Sequence, residues 1–172
     1  MASSRLTLFS MLVALGSLTS VIATSCGPKD SCSIVCIAGG TCNDNRCICP
    51  IAHTGSSCQN LTLLGSWQGN ENNLTTSSSY QQNISLTRST INSTQILIGI
   101  SSGMAAGHVI TGSLSVDSSM IVYTKQLIPT ARTPDTVSGT ILLTSTTSIS
   151  NSYKYSNSQD GVIYSIEGNY TK

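Results

Sequence analysis

The groups in this chain with catalytic potential are two histidines and a few carboxylates. His53 and His108 are the candidates for a general base, and a Ser-His-Asp arrangement would have to use one of them. The carboxylates after Cys58 are Glu71, Asp117, Asp135, Asp160 and Glu167, most of them expected in turns. A glycosidase-type pair would need two of these to meet in space, and with aromatics at 5% there is no aromatic-rich segment to build a sugar cleft. The spacings of a nucleophile elbow, a zinc-binding helix, an SxxK pair or a lysine-bearing phosphate loop do not occur. His108, flanked by Gly103 and Gly107, reads as part of a turn between strands. No catalytic residue, cofactor or metal site is expected, and the chain does not read as an enzyme.

The cysteines carry the stronger signal. Cys32, Cys36, Cys42, Cys47, Cys49 and Cys58 are separated by x3, x5, x4, x1 and x8, and the only other cysteine is Cys26. A segment this short cannot bury enough apolar surface to fold unaided, so clustered cysteines in an exported chain read as a disulfide framework. A zinc site is the competing chemistry. It needs CxxC or Cys/His pairs at ligand spacing, and Cys47-Ile48-Cys49 is too close for that. Spacing alone does not separate the possible pairings of six cysteines.

Within this run, Cys36-Ile37-Ala38-Gly39-Gly40-Thr41-Cys42, Cys47-Ile48-Cys49-Pro50 and Thr54-Gly55-Ser56-Ser57-Cys58 resemble the corresponding pieces of an EGF-like domain. The resemblance implies the pairs Cys32–Cys42, Cys36–Cys47 and Cys49–Cys58, with Gly39, Gly40 and Gly55 at tight reversals. Counted from Cys26, the series is also similar to the cysteine-stabilised αβ fold of defensins. That framework leaves Cys58 without a partner, whereas the EGF-like one leaves Cys26 over. The acidic and aromatic positions of calcium-binding EGF-like domains are missing here, Asp30 being the lone acid before Cys32. Calcium wants six to eight oxygens, so no calcium site is expected. His53 is expected as an exposed loop residue.

The elements around the cysteines set the compartment. Arg5 followed by the apolar run Leu6 to Leu18 and by Val21-Ile22-Ala23 reads as a signal peptide over residues 1–23. That run is too short to span a bilayer. Losing Arg5 leaves seven basic against seven acidic side chains. Charged residues make up 9% of the chain against about 25% in typical soluble domains. So little charge argues against nucleic-acid binding, which needs clustered Lys and Arg. No stable membrane insertion is expected, and the protein is expected to be secreted.

Residues 24–60 then form the disulfide-rich module and residues 61–172 a second domain. There apolar residues alternate with polar ones at Ile84 and Leu86, at Ile96, Ile98 and Ile100, and at Leu114 and Val116. The pattern continues at Val137, Ile141 and Leu143, and at Val162, Tyr164 and Ile166. Turn clusters fall at Gly69-Asn70, Ser101 to Gly103, Asp117 to Ser119, Pro129 to Pro134 and Asp160-Gly161. The pattern predicts an all-β antiparallel domain, a barrel or sandwich of about seven or eight strands. Gly65-Ser66-Trp67 resembles the G-x-W that opens the first strand of lipocalins and avidins, eight-stranded barrels that hold one small ligand. Trp67 more simply plugs one end of a β core. Sequons at Asn60, Asn73, Asn83, Asn92 and Asn169 are candidate glycosylation sites.

Two functions fit these features. One is a secreted interaction or adhesion protein that binds an extracellular protein or glycan partner. The other is a small-ligand-binding barrel with an accessory EGF-like module. An apolar pocket near Trp67 would separate them.

Overall fold

The computed structural model describes residues 32–102, 106–129 and 133–172. The expected signal peptide, Cys26, Asp30, Gly103 and residues 130–132 of the Pro129–Pro134 loop lie outside them. The described chain is all-β: twelve strands and no helix among the described residues.

Three disulfides organise the first part: Cys32–Cys42, Cys36–Cys47 and Cys49–Cys58. These are the pairs that the EGF-like resemblance implies. β1 (Thr41–Asn43) and β2 (Arg46–Ile48) form a hairpin. Its two connecting residues, Asp44 and Asn45, both adopt positive φ (47° and 59°), as the favoured two-residue hairpin turn requires. Asn45 Oδ1 then accepts from the Ser33 amide at 2.8 Å, tying the start of the module to its hairpin. Gly40 is needed for a different reason. A Cβ there would lie 2.5 Å from Cys58 Sγ, inside the most buried of the bridges.

The module grades into the next domain through β3 (His53–Thr54) and β4 (Asn60–Leu61), which pair antiparallel. The Thr62 amide donates to the Ala52 carbonyl at 2.9 Å, and Ala52 and Leu63 join the hydrophobic core of the following domain. His53 is therefore a half-buried ladder residue opposite Leu61 rather than an exposed loop residue.

Eight strands then close into an antiparallel barrel. They are β5 (Gly65–Asn73), β6 (Ser78–Arg88), β7 (Gln95–Ile100), β8 (Val109–Leu114), β9 (Met120–Ile128), β10 (Asp135–Ser145), β11 (Ser148–Ser156) and β12 (Ile163–Thr171). Each pairs with the next in sequence, and β12 returns to β5 with Ile166 opposite Asn73 and Thr171 opposite Gln68. Closure removes the unpaired edge that a sheet would otherwise expose.

Other sequence expectations change as well: Glu71, Asp135 and Glu167 lie in strands rather than turns, and Val162 lies just before β12. Gly69-Asn70 is not a turn but the middle of β5. A Cβ on Gly69 would stand 2.0 Å from the Asn169 carbonyl oxygen, so glycine here serves close strand approach. Val116 is not a strand residue. It is fully exposed in the connection between β8 and β9.

Alternation along the strands sends one set of side chains inward. Ile84, Leu86, Ile96, Ile98, Ile121 and Ile141 are all 0–1% exposed. Trp67 plugs one end, fully buried, its indole N–H donating to the Leu63 carbonyl at 2.9 Å. Lys172 covers it: the ammonium stands 4.4 Å from the Trp67 ring centroid and donates to the Thr62 and Leu64 carbonyls at 2.6 and 2.7 Å. The opposite end carries the ends of β5, β7, β9 and β11 and the starts of β6, β8, β10 and β12. That is the mouth of the barrel.

Candidate ligand site inside the barrel

Inward positions of β5 are Trp67, Gly69, Glu71 and Asn73. Glu71 is completely buried, where an ionised carboxylate survives only with hydrogen-bond donors around it. Two tyrosines from other strands supply them. The Tyr153 hydroxyl of β11 donates to Oε2 at 2.8 Å, and the Tyr170 hydroxyl of β12 donates to Oε1. Deeper in the same cluster, the Tyr123 hydroxyl of β9 donates to Asn151 Oδ1 at 2.8 Å. The Tyr80 hydroxyl of β6 is buried within interaction range of Tyr153 and Glu71 but forms no hydrogen bond of good geometry to either.

Glycines make room for this cluster. A Cβ on Gly168 would lie 2.7 Å from the Tyr170 ring and 2.9 Å from Glu71 Cγ. One on Gly139 would lie 2.5 Å from Tyr153 Cβ and 2.7 Å from the Tyr123 hydroxyl. Burial, reinforced by the Glu71 charge, drives the tyrosines away from phenolate. Tyr80 is pushed up to about 12 mainly by burial, against the smaller opposing effect of Tyr153. Tyr123, Tyr153 and Tyr170 are raised further, burial first and Glu71 second. All four stay protonated near neutral pH.

A second carboxylate stands at the mouth. Asp135, the first residue of β10, is 6% exposed. It accepts from the Ser158 amide at 2.8 Å, the Ser158 hydroxyl at 2.7 Å and the Tyr155 hydroxyl. These donors hold its carboxyl below the usual range, the Ser158 amide foremost. Asp160, in the neighbouring connection, accepts from the Tyr164 hydroxyl at 2.8 Å. That bond raises the Tyr164 hydroxyl above its ordinary value. The buried polar residues of the described chain are thus Thr62, Glu71, Asn73, Gln82, Asp135 and Asn151: two carboxylates and no base.

Two clefts lined by described residues open on the outer surface. One, of about 540 Å³, is lined by amides and hydroxyls, among them Gln68, Asn70, Gln81, Asn83 and Ser102. Gln82 shapes it by accepting from the Ser102 amide at 2.9 Å and its hydroxyl at 2.7 Å. The other, of about 330 Å³, contains His108 with Ser66, Ser85 and Gly99. No carboxylate lines it, so His108 has no third member for a Ser-His-Asp relay there. His53 Nδ1 is buried without a partner. Among the described residues no group of three or more His, Cys, Asp and Glu could hold a metal ion.

The sequons divide by burial. Asn60, Asn83, Asn92 and Asn169 are exposed, whereas Asn73 is 5% exposed. Asn73 Oδ1 accepts from the Thr75 and Thr76 amides at 3.0 and 3.2 Å, capping the turn between β5 and β6. Glu71, Tyr123, Asn151, Tyr153 and Tyr170 carry no sequence signal of a site. Their one visible trait is a polar or phenolic side chain at alternate positions of strands that lack aliphatic alternation.

No protein-family model matches the chain, and no curated protein sequence does. Among solved structures it is similar to a redesigned β-barrel, b11L5F_LGL. That match has 16% identity and a TM-score of 0.46, covering 64% of this chain and 91% of the other. It is also similar to the barrel EF1p2_mFAP2b bound to DFHBI, with 15% identity and a TM-score of 0.45 over 64% and 94% of the two chains. A protein of unknown function of the DUF3598 family from Nostoc punctiforme is similar at 12% identity and a TM-score of 0.41, over 64% and 47%. Values this low carry no argument about function. The eight-stranded barrel stands on its own strand pairing.

Proposed function

We propose that the chain is a small-ligand-binding protein, with the barrel as receptacle and the disulfide-rich module as a stapled cap at its Trp67 end. One observation carries this proposal: a fully buried carboxylate and four tyrosine hydroxyls converge inside the barrel. A barrel core that only had to be stable would be served by aliphatic side chains, since burying charge and unpaired hydroxyls costs free energy. The site differs from the apolar pocket near Trp67 that the G-x-W resemblance suggests. Trp67 is sealed by Leu63 and Lys172, and the buried cluster around Glu71 lies further along β5 toward the mouth. The role is binding rather than catalysis, in a chain that is exported and stabilised by its three disulfides.

Native mass spectrometry of the protein purified from secreting cells tests this. A bound small molecule, lost on unfolding and lost again in a Glu71→Gln, Tyr80→Phe variant that still folds, is the expected result. A single bare mass, with no thermal shift across a library of small polar molecules, would remove the proposal.

A second role, docking of the module on an extracellular partner, is favoured by its exposed apolar side chains. Val35, Ile37, Ile48 and Ile51 are 77%, 49%, 57% and 44% exposed. Loss of cell-surface attachment in Val35→Glu and Ile48→Glu variants would support it, and unchanged attachment would exclude it.

A further inference from the structure

On the outer face of the barrel, separate from the buried cluster, we infer that the amide-lined cleft formed by β5, β6 and residues 101–102 is a saccharide site that takes a neutral, polyhydroxylated ligand. The strand register builds it. Gln68 stands opposite Asn83, and Asn70 opposite Gln81. Residues directly opposite on one face of an antiparallel pair have Cβ atoms about 4.5–5.5 Å apart. All four side chains are exposed and make no hydrogen bond among the described residues. Four adjacent amides therefore present carbonyl acceptors and amino donors side by side. The cleft they line holds about 540 Å³, within the roughly 300–1,000 Å³ of small-ligand sites.

The rim of the cleft is fixed before any ligand arrives. Buried Gln82 accepts from the Ser102 amide at 2.9 Å and from the Ser101 hydroxyl at 3.2 Å. The Ser101 amide donates to the Asn83 carbonyl at 3.0 Å, and the Ser102 hydroxyl is shared with the Gln81 carbonyl at 3.1 Å. Residues 101–102 are thereby held against β6, and a wall already in place lowers the ordering cost of binding.

The lining selects the ligand class by exclusion. No charged residue lines the cleft, so it offers no counter-charge to a phosphate, a nucleic acid or an ammonium group. An apolar ligand would strip water from the amides and leave them unpaired, which costs free energy. An extended peptide needs a free strand edge, and β5 is paired on both sides at Gln68, Gly69 and Asn70. Sugar hydroxyls, each both donor and acceptor, answer side chains that are also both. Such a sugar has two possible sources. Asn83 begins the sequon Asn83-Ile84-Ser85, so an N-glycan on it would be rooted in the cleft wall; otherwise the sugar belongs to another molecule.

The test uses the full secreted chain carrying Ser85→Ala and Thr171→Ala. These exposed substitutions remove the sequons of Asn83 and of Asn169, which stands opposite Asn70, and leave every lining residue in place. The wild-type chain secreted under tunicamycin gives the same bare face without a substitution. N,N′-diacetylchitobiose and maltotriose are titrated by NMR against the charged trigalacturonate. A neutral sugar should bind with a Kd of about 1 mM or tighter and shift the signals of residues 68–70, 81–83 and 101–102. A Gln68→Ala, Asn70→Ala, Gln81→Ala variant, confined to exposed side chains, should weaken it about tenfold or more, with Gln81→Ala alone as a milder second variant. No binding of either neutral sugar, binding that the alanines leave intact, or trigalacturonate bound as tightly overturns the inference. Enzymatic release of the Asn83 glycan from the native wild-type chain separates the two sources. Slow release that the alanines accelerate makes the protein's own glycan the occupant. Equal release rates, or no glycan on Asn83, make the bound sugar a foreign one. The reading of the barrel interior is untouched by either result.

Discussion

Replacing tyrosines by phenylalanine inside the barrel changes one oxygen atom and almost no volume, so it isolates the hydrogen bonds of the buried cluster. Tyr153 and Tyr170 each donate to a different oxygen of Glu71, and all three residues are at most 3% exposed. Hydrogen bonds to a charged acceptor contribute about 1.5–3 kcal/mol net, and a buried carboxylate oxygen left without a donor cannot recover this from water. Tyr153→Phe and Tyr170→Phe are therefore expected to destabilise by about 2 kcal/mol each. For a chain of this size that corresponds to a fall of roughly 4–8 °C in Tm. Tyr80→Phe has the opposite expectation. Its hydroxyl is buried and unpartnered, so removal eliminates a desolvated polar group and leaves stability unchanged or raised by about 1 kcal/mol. Equilibrium urea unfolding with the disulfides intact measures all three, provided the m-values agree. If Tyr80→Phe loses as much as Tyr153→Phe, or if Tyr153→Phe and Tyr170→Phe are neutral, the hydrogen-bond assignment around Glu71 is wrong.

The same tyrosines set an alkaline limit. Their folded values are raised, so they contribute stability that is fully present below the ordinary value of 10 and is lost as pH rises past it, through about 12 for Tyr80. Tyrosinate absorbance should lag behind that of free tyrosine and then rise together with unfolding. Asp135 has the reverse sign. Its carboxyl is held below the ordinary 3.8, so its contribution is present above that value and declines as pH falls through the depressed one, read as acid-dependent loosening of the 157–162 connection in hydrogen exchange. Gly168→Ala should destabilise by about 1–3 kcal/mol through overpacking, because its methyl would press Tyr170 and Glu71 apart; a thermal melt matching wild type would contradict that geometry. Glycopeptide mapping should find carbohydrate on exposed Asn60, Asn83, Asn92 or Asn169 and none on Asn73, whose side chain is buried in the β5–β6 turn. A fully occupied Asn73 would contradict its burial.

Much of the frame could be read from the amino-acid order. Six cysteines between 32 and 58 specify a stapled module whatever their pairing, because a segment that short has no other source of order. The alternation Ile84-Leu86, Ile96-Ile98-Ile100 and Ile141-Leu143 marks β6, β7 and β10, since each strand buries one face against the barrel interior. β5 and β11 escaped that pattern for a physical reason. Their inward positions are Gly69, Glu71 and Asn73, and Asn151, Tyr153 and Tyr155. The polar ones look solvent-facing in sequence and are buried with their hydrogen bonds made: Glu71 to Tyr153 and Tyr170, Asn151 to Tyr123, Tyr155 to Asp135, and Asn73 to the amides of its own turn.

The tertiary structure alone decided the site. Glu71 meets Tyr153 across 82 residues of chain and Tyr170 across 99, distances over which no local pattern carries information. Closure of β12 onto β5 brings Gly168 and Tyr170 against Glu71. A register slip of one residue would turn those side chains to the outside. Hydrophobic periodicity shows which face of a strand is buried. Only the closed barrel shows that the buried face of β5 carries a charge.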